Sequence, residues 1–161
     1  MKLLRKTVIT EIDHDDLVNL FSTALTGSDM FGCEYDKEAY AKIPPEKTIG
    51  DCFEDRIADT LLNGGKVYVY DYYADGEVYG SKGKVMDDGS GDGIYEIGLQ
   101  DVVNGLQAAA NGSFKWNDDS EEKCARQSFD AFAEDEEMGE FDIESAESLM
   151  QIILFNEFIY G

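Results

Sequence analysis

The sequence predicts an α+β domain: about five helices packed on one face of a small three-stranded antiparallel sheet. Three observations predict it. Apolar residues recur at helical spacing in five separate stretches. One block, residues 66–97, holds β-branched and aromatic runs with turn residues between them. Helical stretches stand before and after this block and do not alternate with its strands, which is the order of an α+β arrangement. With 161 residues, 43% of them hydrophobic and 12% aromatic, the chain has material for one core. Residues 1–161 are therefore read as a single domain, without internal repeats, whose weakest boundary is residues 111–120.

Residues 7–12 read as a short strand or extended entry. Asp13 then caps a helix, with Asp15 and Asp16 in the first turn where the helix dipole favours acids. Leu17, Leu20, Phe21, Ala24 and Leu25 form its apolar stripe, and Gly27 ends it. Met30, Phe31, Cys33, Tyr35 and Tyr40 show no clean period before Pro44-Pro45 breaks the segment. Thr48 with Asp51 reads as a capping pair for a second helix carrying Phe53, Ile57, Ala58, Leu61 and Leu62. Residues 66–73 read as a strand. Asp75-Gly76 signals a hairpin to residues 77–86, and a Gly-rich turn at 87–93 leads to a third strand at 94–97, completing a meander. Leu99, Val102, Val103, Leu106, Ala109 and Ala110 mark a third helix closed by Asn111-Gly112. Asp118 with Glu121 starts a fourth, carrying Cys124, Ala125, Phe129 and Phe132. Asp142 caps a fifth, with Ala146, Leu149, Met150, Ile153 and Leu154 facing inward. The closing residues 155–161 are expected to pack against the body.

Charge is the outlier. Thirty-five acidic residues against 13 basic ones give −22, with a pI near 4.1, where a small domain ordinarily carries a magnitude of ~2–8. Direct nucleic-acid binding is excluded, because phosphate contact needs Lys and Arg, as is adhesion to an anionic membrane. No stretch approaches the ~20 apolar residues of a membrane span. Residues 1–10 lack the apolar run of a signal peptide, so a cytoplasmic location is expected. Cys33, Cys52 and Cys124 are scattered and fit reduced thiols, not a disulfide framework.

The charge is also uneven. Residues 1–80 hold 16 acids and 8 bases, and residues 81–161 hold 19 acids and 5 bases, net −8 and −14. After Arg126 ten acids follow and no Lys, Arg or His. The plainer reading is a set of solvated helix faces and a loop. Salt adaptation is disfavoured, because the bulky apolar residues are not thinned. A compact chain of this length is roughly 39 Å across, so 22 net charges amount to about one per 1.8 Å, close to the one per ~1.7 Å of duplex DNA. On that basis the candidate partner-binding residues are Asp118, Asp119, Glu121, Glu122, Glu134, Asp135, Glu136, Glu137, Glu140, Asp142 and Glu144, their carboxylates standing in for phosphates.

No catalytic constellation competes with this reading. His14 is the only histidine; flanked by Asp13, Asp15 and Asp16, it reads as an exposed residue without a role rather than a general base. No G-x-S-x-G elbow is present. Asp88-Gly-Ser-Gly-Asp-Gly resembles half a calcium loop, but Leu99 occupies the position of the bidentate Glu, so a hairpin turn is the better reading. The cysteines lack zinc spacing, Gly64-Gly65-Lys66 is not a phosphate loop, and no Glu-x-x-His pair exists. Neither a metal nor a cofactor is expected, nor an enzyme. Tyr68, Tyr70 and Tyr72 share one strand face, with Tyr73 on the other. Sheet packing accounts for them most simply; on an open face they would form a binding surface.

Other residues carry a resemblance. Glu11 with Asp15-Asp16-Leu17 is followed by Gly64-Gly65-Lys66 before a strand holding Tyr70-Asp71. A helix starting near Leu99 contains Gly105, and the chain closes with Asp142, Ala146-Glu147, Gln151, Leu154-Phe155 and Tyr160-Gly161. Over most of its length, and most strongly at residues 155–161, the chain resembles a family of small acidic proteins encoded by phages and conjugative elements of Gram-positive bacteria. The middle hairpin is longer here. The family has no settled activity, so the resemblance implies a setting and assigns no residue a role. Mobile elements carry small acidic proteins, some of them DNA mimics, that block host defence nucleases.

The expected function is thus a non-enzymatic inhibitor that occupies the basic nucleic-acid-binding surface of a host complex such as a CRISPR effector or a restriction enzyme. A small-ligand-sequestering protein is the alternative, requiring Trp116 and the strand tyrosines to form a pocket on which Lys66, Lys82, Lys84 and Arg126 converge. An exposed Tyr, Phe and Leu face would favour a homodimer.

Overall fold

The computed structural model describes residues 12–135 and 141–160. All but the last residue of the extended entry expected at 7–12 lies outside them. The described chain is mixed α+β, with six α-helices and a four-stranded antiparallel sheet. In order these are α1 (His14–Leu25), β1 (Phe31–Tyr35), α2 (Lys37–Ala41), a 3₁₀ turn (Pro45–Lys47), α3 (Phe53–Leu62), β2 (Val67–Asp71), β3 (Gly83–Val85), β4 (Gly93–Ile97), α4 (Leu99–Asn111), α5 (Asp119–Glu134) and α6 (Ile143–Phe155).

The sheet runs β1-β2-β4-β3, which corrects the expected three-stranded meander in two ways. First, β1 adds a strand along the free edge of β2, pairing Phe31 with Asp71 through to Tyr35 with Val67. Its alternation of Phe31, Cys33 and Tyr35 inward with Gly32 and Glu34 outward is a period of two, hidden in the sequence by its short length and its glycine. Second, the segment after β2 does not fold back along it. Asp75 and Gly76 both take positive φ, 49° and 82°, as a type I′ turn requires, and the Glu77 N–H donates to the Ala74 carbonyl at 3.0 Å. The turn then docks on the β3–β4 connection, where the Gly76 N–H donates to the Gly91 carbonyl at 2.8 Å. The chain crosses over, and β3 pairs with β4 instead.

The helices begin where carboxylates can take their free N–H groups. Asp13 accepts from the Asp16 N–H at 2.9 Å while Asp16 accepts from the Asp13 N–H at 3.0 Å, a reciprocal box. Asp142 accepts from the Ser145 N–H at 2.8 Å. Asp118 accepts from the Glu121 N–H at 3.0 Å, but Glu121 reaches back to the Asn117 N–H, one residue beyond the expected partner. The Thr48–Asp51 pair does not start α3: Thr48 closes the 3₁₀ turn, and the helix opens at Cys52, whose N–H donates to Asp55. The third and fifth helices expected from the sequence are α4 and α6, with α4 closed by Gly112 in the left-handed region at φ 70°.

Val67, Val69, Tyr95 and Ile97 point inward from the sheet to meet Leu17, Leu20, Phe21, Ile57, Leu61, Leu106 and Ile153. Where α4 crosses α6, Gly105 lies against Ile153 so closely that a Cβ would collide with its backbone and side chain. Beyond α6, Asn156 turns the chain at φ 59°, and buried Gln151 grips the segment that follows. Its amide oxygen accepts from the N–H groups of Ile159 (2.9 Å) and Tyr160 (2.8 Å), and its amide nitrogen donates to the Tyr160 carbonyl at 3.1 Å. The Tyr160 hydroxyl then donates to the buried Asp71 carboxylate at 2.6 Å. Asp71 also accepts the Tyr73 N–H at 3.0 Å. Burial raises the Asp71 carboxyl above its ordinary range, and these two hydrogen bonds oppose the shift.

Removing one of those two donors leaves a buried carboxylate short of a partner. Tyr160→Phe is expected to lower unfolding free energy by about 1–3 kcal/mol, read as a lower urea midpoint with an unchanged denaturant slope.

Candidate functional site

The structure divides the candidate carboxylates into two groups. Asp118, Asp119, Glu121 and Glu122 stand at the start of α5, and Glu134 and Asp135 at its end. The 15 residue steps between Asp119 and Glu134 span about 22 Å at ~1.5 Å per residue, so the groups do not form one patch. Asp142 and Glu144 begin α6, which packs against α5. This end is also tied to α1 and the loop after it. Asn19 donates to Asp135 at 3.0 Å, the Ser28 hydroxyl donates to Glu147 at 2.6 Å, and Gly27 lies against Ile143. Asp135, Asp142, Glu144 and Glu147, with Glu134 nearby on α5, therefore belong to one end of the molecule. Glu136, Glu137 and Glu140 lie outside the described residues.

The two ends differ in what faces the acids. At the start of α5, Arg126 pairs with Glu122, Lys123 lies in the same helix, and the Lys115 ammonium is 3.6 Å from Glu157. At the other end, α1, the loop behind it, the second half of α5 and all of α6 hold no Lys or Arg. Among the described residues of these elements no Lys or Arg side chain faces the acids, as Arg126 does at the start of α5. A polar cleft of about 480 Å³ opens between α5 and α6, lined in part by Asp142, Glu144 and Glu147 with Cys124, Ser145 and Ser148.

These carboxylates are not equivalent. Asp118 and Asp142 are engaged as helix caps. The Ser120 hydroxyl and the Glu121 N–H hold the Asp118 carboxyl below its usual range. Glu134 and Glu144 are exposed, with their carboxylates turned to solvent.

His14 corrects the sequence reading. It is buried at 6% exposure, with its Nε2 3.4 Å from Asp55 Oδ1 and 3.6 Å from Asp59 Oδ1, between α1 and α3. The missed signal is its place three residues before Leu17 and seven before Phe21, on the apolar stripe of α1. Among the described residues, no group of three His, Cys, Asp or Glu side chains has the arrangement of a metal site. The 87–93 turn closes on itself, Asp88 accepting from both the N–H and the hydroxyl of Ser90. The three cysteines are free thiols.

Only part of the pocket required for a sequestered ligand is brought together: Tyr68 lines a cavity of about 380 Å³ with Lys82 and Lys84, and the other named residues lie elsewhere. Lys82 pairs with Asp101 at 3.0 Å, Lys66 lies against Gly98, and Arg126 sits on α5 with Glu122. Trp116 is in the α4–α5 connection, its indole N–H donating to the Gly112 carbonyl. It is not on the sheet. The strand tyrosines do share a face: Val67, Val69 and Asp71 are buried beneath the sheet, and Tyr68, Tyr70 and Tyr72 lie on the opposite side with partial or full exposure.

No family model, curated protein or solved structure matches the chain. No helix among the described residues is long and apolar enough to cross a membrane.

Two measurements test this account of the acids. Asp142→Ala removes a cap and is expected to lower stability by about 1 kcal/mol, whereas Glu144→Gln, two residues on and exposed, removes only a dipole contact and is expected to lower it by ~0.3 kcal/mol. The second concerns Asp16, whose carboxyl is pushed up to about 7, first by burial and then, against its bond from the Asp13 N–H, by the Asp13 carboxylate. The folded chain keeps this proton to about pH 7, and the unfolded chain releases it near the ordinary carboxylate value. The stability it contributes is therefore present at low pH and lost as pH rises through 7. The melting temperature is expected to fall between about pH 4 and 7, and Asp16→Asn to flatten that slope.

Proposed function

We propose that this chain is a non-enzymatic acidic binding protein that occupies a basic nucleic-acid-binding surface of a protein complex. The observation that supports this most is the end formed by α1, the end of α5 and the start of α6. It gathers Glu134, Asp135, Asp142, Glu144 and Glu147 on elements without a Lys or Arg, in a chain of net charge −22. Such a surface repels phosphates and steers onto the clefts that hold them, raising encounter rates at low salt. The caps fix the helix starts, so the carboxylates are held on rigid elements.

The sequence resemblance to acidic proteins of mobile elements supplies the setting. The partner would be a host defence complex, a CRISPR effector or a restriction enzyme, whose nucleic-acid channel the protein fills. The Asp118–Glu122 group, partly neutralised by Arg126 and neighbouring bases, would contribute less than the group at residues 134–147.

The test is capture of a nucleic-acid-binding complex from a bacterial lysate on the immobilised protein, washed at rising salt. Binding through six or more charge contacts loses about 10³ in affinity between 50 and 200 mM salt. Replacing Glu134, Asp135, Glu136, Glu137 and Glu140 together with their amides is expected to abolish capture while the chain still folds, as read by an unchanged far-UV circular dichroism spectrum. Neutralising Asp119 and Glu122 is expected to weaken it only slightly. Capture that survives the fivefold replacement would sink the assignment to this end.

A further inference from the structure

We propose that the open face of the sheet is a separate binding surface, built to take arginine side chains from a basic protein partner. Across β1, β2 and β4 one row of outward residues reads Glu34, Tyr68, Glu96, each directly opposite the next. Adjacent strands lie about 4.8 Å apart, so an aromatic ring stands between two exposed carboxylates. The next row reads Gly32, Tyr70, Ile94, Lys84. Tyr72 extends it: its ring lies over Gly32, where any Cβ would strike it, and stacks on Tyr70 with centroids 6.3 Å apart and planes 9° from parallel. The glycine in β1 is thus what lets three tyrosine rings share one surface.

The rings keep their neutral form. Burial, and then hydrogen bonding to Glu34, push the Tyr70 hydroxyl up to about 12. Burial, with the charges of Asp36 and Glu96, raises Tyr68. The faces of these rings carry the negative quadrupole that attracts a cation.

The charge on this face selects the occupant. Glu34, Asp36 and Glu96 surround Tyr68, while on its β3 side Lys84 and Lys82, the latter paired with Asp101, line a cavity of about 380 Å³ with Tyr68 and Glu96. Three carboxylates stand against Lys84 and the Asp101-paired Lys82, so a phosphate or another anion is disfavoured. A second copy would bring the same carboxylates and a further net −22, so like charges oppose a homodimer through this face. A cation is attracted, and a guanidinium suits the row better than an ammonium. Its plane stacks on a ring while its fork pairs with a carboxylate at the edge, whereas the compact, strongly hydrated lysine head does neither as well. This surface requires no contribution from the α5–α6 end.

The experiment is an NMR titration of the full chain with two capped peptides, Gly-Arg-Gly-Arg-Gly and Gly-Lys-Gly-Lys-Gly, at equal low ionic strength. The arginine peptide is expected to bind about three- to tenfold tighter and to shift the ring resonances of Tyr68, Tyr70 and Tyr72. Tyr68→Leu is expected to erase the preference for arginine, and Tyr68→Phe to keep it. Should Tyr68→Leu not fold, Glu34→Gln with Glu96→Gln gives the same reading through weaker arginine binding. Replacing the carboxylates at residues 134–140 is expected to leave the arginine-to-lysine ratio unchanged, so failure of the lysate capture and failure of this surface are told apart. Equal affinity for the two peptides, shifts confined to residues 142–147, or a dimer in sedimentation that Tyr68→Leu dissociates would each overturn the proposal.

Discussion

Self-repulsion is the constraint under which this fold is built. A chain of net charge −22 must bring its carboxylates closer together on folding. It does so by placing many of them where backbone N–H groups converge. Asp13 and Asp16 open α1, Asp36 opens α2, Asp55 reaches back at the start of α3 and Asp101 at the start of α4, and Asp118 and Asp142 open α5 and α6. Each sits at the positive end of a helix dipole, a placement worth about 0.3–1 kcal/mol. Among the described residues, no α-helix carries a basic residue in its last turn. The acids thus serve two purposes. Those that cap hold the helices, and those beyond the caps set the outer field.

The second organising feature is buried. Asp71 is a carboxylate at the end of a central strand, and it is tolerated because Tyr73 and Tyr160 donate to it. Around Tyr160 the rings of Tyr73, Tyr79 and Phe155 meet edge to face at centroid distances of 5.6–6.3 Å. Tyr95 joins through Phe155, and its hydroxyl oxygen accepts the Tyr79 N–H. The crossover that replaces the expected hairpin is fixed here, because Tyr79 lies on it. The path of the crossover and the packing of residues 156–160 thus meet in one aromatic cluster.

Helices were legible because their signals are local: Asp13, Asp118, Asn111-Gly112 and Asp142 all mark ends that the structure keeps. Strand pairing was not, because it is decided by partners distant in sequence. Asp75-Gly76 does form its turn, yet which strand β2 meets depends on residues 31–35 and 93–97. For the site, the count of acids was plain but their grouping was not. A helix length separates Asp119 from Glu134, and α1 through Asn19, with the loop after it through Ser28, shows which acids belong together. His14 was misplaced because three flanking acids suggested water, while its helical position put it against α3. The tyrosine face was visible as an alternation; its openness depends on where the helices pack.

The bond between Tyr160 and Asp71 joins residues 89 apart in the chain. During synthesis, β2 emerges long before its partner exists, and the carboxylate at its end must stay hydrated until α6 and the strap behind it are made. Native closure is then a late event, governed by a contact of long sequence separation. The nascent chain passes through a period in which its sheet is unsealed, and its heavy negative charge keeps neighbouring copies apart while it lasts.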